Sequence, residues 1–324
     1  MQDTISGALK RLLKSTLKCY TFVHMINRND LYGIPWIDLE NPTTQEIHTI
    51  INEFDINESC AIELLRPSLR AKAVRYDDYL FFVLHFPDHP AHKTGGAIEI
   101  DFIVHKKFII TNRYLPIDTL LSFEKKHTAS NKSPMADIHG GNIFGLMIND
   151  LYDGLIDELS LIKKDITDVE SRIFGENDSS ISKILITLHR KLLDCKSALR
   201  FHHEILTSFE HEAVVLFGDE FESVVQSIMH RYYHLTTIMD SSREITQELR
   251  QTYDSLLTNR TNEIMRTLTL MSFVTFPLSL IAIILFDPAS PHIFHGEHGF
   301  WIVIGILLVI LLIMMTYFNK KKWL

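Results

Sequence analysis

Three imidazoles fall within seven residues in the stretch Pro291-His292-Ile293-Phe294-His295-Gly296-Glu297-His298. Imidazole nitrogen suits Zn2+, Co2+, Ni2+ or Cu2+ better than the hard Mg2+ ion, and it changes charge near neutral pH. His292, His295 and His298 are therefore candidate ligands for a transition metal, or acid sensors, with a solvated loop as the plain alternative. Asp287, followed by Pro288, stands just before them. It can end a helix, since proline disfavours helix at the preceding residue. Repeated around a ring of copies, the same carboxylate can concentrate cations at a pore mouth. His85, Asp88, His89 and His92 make a second group, and His230 and His234 share a helix face. Both read as solvated loop or helix surface, and no HExxH accompanies them.

Two further sets follow helical spacing. Asp240, Glu244, Glu248 and Asp254 lie along one apolar-stepped helix, where a solvated acidic face is the default. Asn262, Met265, Leu268 or Thr269, Ser272, Phe276, Ser279, Ile283 and Asp287 step by three or four and so share one face. Rings of Met and Phe suit a dewetting gate and hydroxyl rings can touch a hydrated ion. The same face would also serve plain helix–helix packing, where small residues are useful.

The elements that must carry these residues are set by two apolar runs, Leu268–Phe286 and Phe300–Phe318, neither containing Asp, Glu, Lys, Arg or His. Each is about the 20 residues needed to cross a bilayer as helix. The connecting stretch Asp287–Gly299 has no Lys or Arg, whereas Arg260 and Arg266 precede the first run and Lys320-Lys321-Lys322 follow the second. The positive-inside bias places both flanks in the cytoplasm and the loop outside. The net charge of −8 over 324 residues shows no basic stripe, which argues against nucleic acid as a partner. Leu12–Leu17 is interrupted by Lys14, so no signal core is expected there. Cys19, Cys60 and Cys195 form no CxxC pair, which argues against a disulfide framework or a cysteine zinc site, and Cys195 reads as a packed core thiol.

Four regions follow. Residues 1–140 mix strand and helix signals: Thr21–Ile26, Tyr79–His85, Ala97–Val104 and Lys107–Thr111 predict strands, and Thr43 or Thr44 caps a helix through Ile47, Ile50, Ile51 and Phe54. His85–Gly96 and Lys125–Gly141 have loop composition. Residues 141–218 predict an antiparallel helical hairpin, with Leu155, Leu159, Ile162, Ile166, Val169 and Ile173 on one arm. Gly175–Ser180 forms its turn, and Ile181 to Phe209 resume the stepping. Residues 219–267 form a stalk helix and 268–324 a two-helix membrane domain with the external loop 287–299. From Asp219 to Phe276 there is neither Gly nor Pro, so the stalk is expected to run unbroken into the first span, roughly 100 Å in all. A helix of that length needs partners along its course, and a symmetric ring of copies is the economical source. Pro277 falls inside the first span, where Ser272 and Thr275 are near enough to compensate the lost backbone bond.

Taken together, these segments resemble the CorA family of divalent-cation channels along nearly the whole chain. Trp36-Ile37-Asp38-Leu39 with Asn41-Pro42-Thr43, Tyr76-Asp77-Asp78-Tyr79-Leu80-Phe81 and Glu99-Ile100-Asp101-Phe102-Ile103 resemble family segments in the soluble part. Asn259-Arg260-Thr261-Asn262-Glu263-Ile264-Met265 is similar to the stalk–membrane junction, Phe276–Ala282 to the first span, and Phe318–Leu324 to the basic tail. The resemblance implies an α+β membrane protein: an α/β funnel domain, a helical hairpin, a long stalk helix continuing into the first span, a second span, and a homopentamer around a central pore. It also implies that Asn262, Met265, Leu268, Phe276 and Ser279 line that pore, and that acidic stalk residues bind regulatory Mg2+. One departure stands out. The family's YGMN signature would fall on Leu285-Phe286-Asp287-Pro288, which has none of its Gly, Met or Asn.

The function expected is movement of divalent cations through a gated pore in the cytoplasmic membrane. Mg2+ is the ion by resemblance, and Zn2+, Co2+ or Ni2+ by the histidine loop. No enzymatic cofactor is required; a divalent cation is the cargo and a possible regulator. The partners are further copies of the chain and the lipid bilayer. The alternative is a non-conducting membrane scaffold or metal sensor of the same architecture. A membrane-tethered metalloenzyme would need the His85–His92 group to hold a metal.

Overall fold

The computed structural model describes residues 25–68, 70–88, 97–129, 138–174, 180–286 and 298–320. The chain divides into two compact units, Met1–Leu249 and Arg250–Leu324.

The first unit is built on a six-stranded sheet: β1 (Met25–Leu31), β2 (Ile34–Glu40), β3 (Lys72–Arg75), β4 (Tyr79–Pro87), β5 (Ala97–His105) and β6 (Ile109–Arg113), in the order β1-β2-β6-β5-β4-β3. Only β2 and β6 run parallel. Tyr32 and Gly33 turn β1 into β2 with positive φ at both positions, the backbone form that suits a tight hairpin. Two short helices cover one face, α1 (Thr44–Glu53) and α2 (Glu58–Leu64). Thr43 caps α1 and forms a reciprocal pair with Glu46, which satisfies two of its otherwise orphan N–H groups. Ile47, Ile50 and Ile51 of α1 then pack with Cys60 and Leu64 of α2 on Ile37, Phe81, Val83, Ile103 and Ile110 of the sheet.

The opposite face meets helices. After α3 (Asp118–Ala129), α4 (Gly140–Ile173) starts against the sheet, and a side-chain carbon at Gly140 would collide with the His105 and Phe108 carbonyls. Phe144 of α4 stacks on Phe82 at 4.9 Å between ring centroids and meets Phe102 edge-on at 5.3 Å. Because both faces are covered, β4 reads as a nearly continuous apolar run, and β5 is buried along almost its whole length even though Glu99 and Asp101 interrupt its apolar residues. The hairpin arms are α4 and α5 (Ser180–Ala198), whose seams bury Leu159, Ile162, Ile166, Val169 and Ile173 with Ile181, Leu185, Leu188 and Leu192. A 3-10 turn at Leu199–Phe201 leads to α6 (His202–Phe217), and α7 spans Phe221–Phe286, 66 residues with Pro277 inside it. The last helix is α8 (Gly299–Lys320).

Several expectations are corrected. Lys125–Ala129 is the last turn of α3 rather than loop: Leu120, Phe123 and His127 turn inward and hold the helix through this polar sequence, while Lys126 pairs with Asp150 at 3.0 Å on the surface. The stretch from Ile181 to Phe209 is two helices, since the backbone tightens at Leu199–Phe201 while the buried stepping continues through His202, Leu206 and Phe209. His85 belongs to β4, which runs to Pro87, and its ring is packed rather than solvated. Lys106 and Lys107 form the turn before β6, which starts at Ile109.

Candidate ion-conduction face

The second unit carries the stripe singled out by spacing. Between Leu268 and Phe286, α7 is half-buried at Leu270, Val274, Pro277, Leu278, Ile281 and Ala282. Helix α8 lies along this side: Leu270, Met271 and Val274 line a groove of about 500 Å3 together with Leu311, Met315 and Phe318. The half-buried positions of α8 repeat likewise, at Ile304, Leu307, Ile310, Leu311 and Met314, with Phe318 buried.

Asn262, Met265, Leu268, Ser272, Phe276, Ser279 and Ile283 are all exposed. At about 100° per residue their mean direction lies about 180° from the half-buried set. The stripe is thus the face of α7 that α8 leaves open. Its apolar members are wide open, Phe276 at 78% and Ile283 at 69% exposure. Ser272 donates its hydroxyl back to the Leu268 carbonyl at 2.9 Å and Thr275 to Met271 at 2.8 Å. Proline at 277 frees the Phe273 carbonyl, which neither hydroxyl reaches, so the compensation expected of Ser272 and Thr275 is not made, and Pro277 stands within the continuous helix all the same.

The remaining candidates are placed as follows. Asp287, His292 and His295 lie outside the described residues. His298 is exposed in the turn before α8, and its carbonyl accepts from the Ile302 N–H at 3.2 Å. Among the described residues no group of three or more His, Cys, Asp or Glu is spaced to hold a metal. In the first unit Asp240 takes Lys196 at 2.8 Å and Arg243 at 3.8 Å, while Glu244 and Glu248 are exposed. Asp254, in the second unit, is exposed as well. All four lie on α7, where Asp240 reaches across to α5 and the other three are exposed, and they form no group spaced to hold a metal.

Polar residues that spacing did not single out form the firmest buried network, on the sheet. Arg113 is wholly enclosed and donates to Asp38 Oδ2 at 2.9 Å, with Glu40 Oε2 at 2.8 Å. Asp38 Oδ1 accepts from Thr111 at 2.6 Å, and Thr111 in turn accepts from Trp36 Nε1 at 3.0 Å. Burial lowers the Arg113 pKa, but Asp38 and Glu40 outweigh it and leave the guanidinium above its ordinary value. Trp36, Asp38, Thr111 and Arg113 are all buried, and the network holds β2 to β6.

A profile of the CorA-like Mg2+ transporter protein family matches residues 32–321. The chain belongs to the CorA family. Members of that family are membrane transporters of metal ions rather than enzymes. The protein YfjQ of Bacillus subtilis (strain 168) is 23% identical over 303 residues, 89% of each chain. The cobalt/magnesium transport protein CorA of Thermotoga maritima is 21% identical over 304 residues, 89% of this chain and 83% of that one. In three dimensions the fold is that of the complete CorA magnesium transporter of Methanocaldococcus jannaschii, with a TM-score of 0.78 at 14% identity over 93% of this chain and 99% of that one. The full-length CmaX protein gives 0.72 at 16% identity over 90% and 89%. This CorA relative therefore shares its architecture with proteins from which its sequence has diverged widely.

Proposed function

We propose that this CorA-family chain assembles as a homopentamer whose α7 helices enclose an axial path for divalent cations across the cell membrane. The observation that carries the reading is the open stripe from Asn262 to Ile283, opposite the face that α8 covers. Lipid would satisfy the apolar members of this stripe, but Asn262, Ser272 and Ser279 interrupt it, and five copies turned inward would bring these polar residues to an axial path and make the face a pore lining. The outward residues of α8, among them Trp301, Val309 and Leu312, would then meet lipid. Both α7 and α8 would span the bilayer, with the flanks rich in Arg and Lys on the cytoplasmic side. The membrane potential would supply about 2.3 kcal/mol per elementary charge per 100 mV, and a divalent ion feels twice that.

Mg2+ is the first candidate cargo, by the family and by the descriptions of its relatives. Co2+, Zn2+ and Ni2+ follow from the histidines at 292, 295 and 298, and Asp287 would ring the outer mouth. Asp240, Glu244, Glu248 and Asp254 would bind Mg2+ between copies and close the pore when the cytoplasmic ion is abundant. Purified protein in vesicles loaded with metal-responsive dyes tests the reading across Mg2+, Co2+, Zn2+ and Ni2+. Flux above empty vesicles, reduced by Asp287→Ala, supports a conducting pore with an acidic mouth. Flux indifferent to that change removes only the mouth. No flux with any metal would favour a non-conducting scaffold or sensor, a reading motivated by Leu285-Phe286-Asp287-Pro288 standing where the family signature belongs. Neutralising the four stalk acids should leave flux insensitive to cytoplasmic Mg2+, and unchanged inhibition would reject their regulatory role.

A further inference from the structure

Strand β5 buries two carboxyl groups side by side. Glu99 and Asp101 are two residues apart in extended chain, so both side chains leave the same face of the sheet. They are 5% and 1% exposed. The nearby Glu63 of α2 pairs with Lys72 of β3, and His85 Nε2 of β4 stands 3.3 Å from Glu99 Oε2. The same Glu99 oxygen accepts from the Ser68 backbone N–H at 2.6 Å. Asp101 receives only a neutral amide, Asn112 Nδ2 to Oδ2 at 2.8 Å. Asp101 Oδ1 and Glu99 Oε1 are both buried with no hydrogen-bond donor, although the two groups lie within hydrogen-bonding reach of each other.

A buried acceptor left empty costs about 1–3 kcal/mol, more when charged, and two adjacent buried carboxylates also repel. One proton between them fills both vacancies and removes the repulsion. A metal ion would do the same, but no three His, Cys, Asp or Glu among the described residues are spaced to bind one. We propose that Asp101 keeps its proton at neutral pH and donates it to Glu99, so that the two form a buried proton-binding site in the sheet of the first unit. The groups facing the pair are Glu63 from α2, Lys72 from β3, His85 from β4, Asn112 from β6, and Tyr114 just after that strand. Burial first, and the Glu99 charge second, hold the Asp101 carboxyl well above its ordinary value, with the Asn112 amide opposing. Glu99 in turn raises the His85 imidazole against its burial, with help from the Ser68 carbonyl. The site also touches the helical layer, because the His85 carbonyl accepts from His202 Nε2 at 2.8 Å. Losing the proton would set two like charges against the β4–β5 pairing at His85 and Glu99.

The folded chain then holds one proton more than the unfolded chain between the ordinary carboxylate range and the raised value, so stability falls as pH rises across that window. Infrared spectra of the full-length protein in D2O at neutral pH provide the direct test. The expected result is a protonated-carboxyl C=O stretch, lost in Asp101→Asn and shifted in frequency in Glu99→Gln, which changes its hydrogen-bond partner. Asp101→Asn, whose amide mimics the neutral acid, should also flatten the decline in melting temperature toward alkaline pH. Should that variant fail to fold, the Glu99→Gln shift still decides. Absence of the stretch in the wild type, its persistence in Asp101→Asn, an unmoved band in Glu99→Gln, or its loss on adding Mg2+ at constant pH would each overturn the proposal. These outcomes are independent of whether the protein conducts ions.

Discussion

The phenol of Tyr152 lies 2.8 Å from Nδ1 of His202, with both side chains wholly buried between α4, α6 and the sheet. His202 Nε2 faces the His85 carbonyl at 2.8 Å, which only an N–H can satisfy, so in the neutral ring Nδ1 is the acceptor for the phenol. Burial pushes the His202 pKa down from 6.5 to about 4, partly opposed by the His85 carbonyl. Between those values the unfolded chain binds more protons, so stability should be full above pH 6.5 and fall as pH drops toward about 4. Melting temperatures recorded across that range check the slope. His202→Gln should remove it, at a cost on the order of 1–3 kcal/mol from the acceptor lost to Tyr152.

Arg113 gives a second stability prediction. Its guanidinium is fully enclosed between Asp38 and Glu40, and Arg113→Met would leave both carboxylates without their cation. Breaking a buried pair from one side costs about 3–5 kcal/mol. Urea unfolding should show that loss, and Asp38→Asn with Arg113→Met should recover part of it. Full additivity of the two changes would mean that the groups do not act as a pair.

The helical parts of this fold are legible in sequence because their burial follows a single period. Leu159 to Ile173 and Ile181 to Leu192 step by three and four, and the structure buries those positions. Thr43 announces α1 through a cap that needs only local chain. The sheet is harder. Strand β2 hides Asp38 among Trp36, Ile37 and Leu39, and its partner Arg113 lies 75 residues away, so neither charge looks internal until the strands pair. Asp101 is hidden for the same reason. Helix α3 lacks a strong apolar stripe and is held by Leu120, Phe123 and His127 turning inward, which composition does not reveal. The open stripe of α7 can be listed from spacing, yet which side is covered depends on the placement of α8, which no local pattern encodes.

Thiol chemistry tests the core packing without altering it. Cys195 is buried on the α5 seam, and burial pushes its pKa up to about 12, with Glu158 adding to the effect. Cys60 is buried on the inner side of α2 and raised by desolvation, against hydrogen bonds from Tyr76 and Tyr79. The thiolate is the reactive form, so both should resist alkylation at neutral pH in the native protein and react fully once denatured. Mass spectrometry of tryptic peptides would locate the label. Rapid native labelling of Cys195 would show that the hairpin seam opens far more readily than its packing implies.

Phe276 and Leu278 are two residues apart on α7 and point to different surroundings: Phe276 is 78% exposed on the open stripe, while Leu278 is half-buried on the side of α8. If the stripe lines a pore, a phenyl ring repeated in each copy makes an apolar constriction that resists wetting. Phe276→Ser should relieve it and raise divalent-cation flux severalfold in vesicles, with little change in the melting temperature. Leu278→Ser should instead weaken the packing of α7 on α8 and lower the melting temperature while altering flux less. A reversal, with Leu278 governing flux and Phe276 governing stability, would place the ion path on the other face of the helix. Equal effects from both would mean that neither face is a pathway and that the stripe serves only to join copies in the membrane.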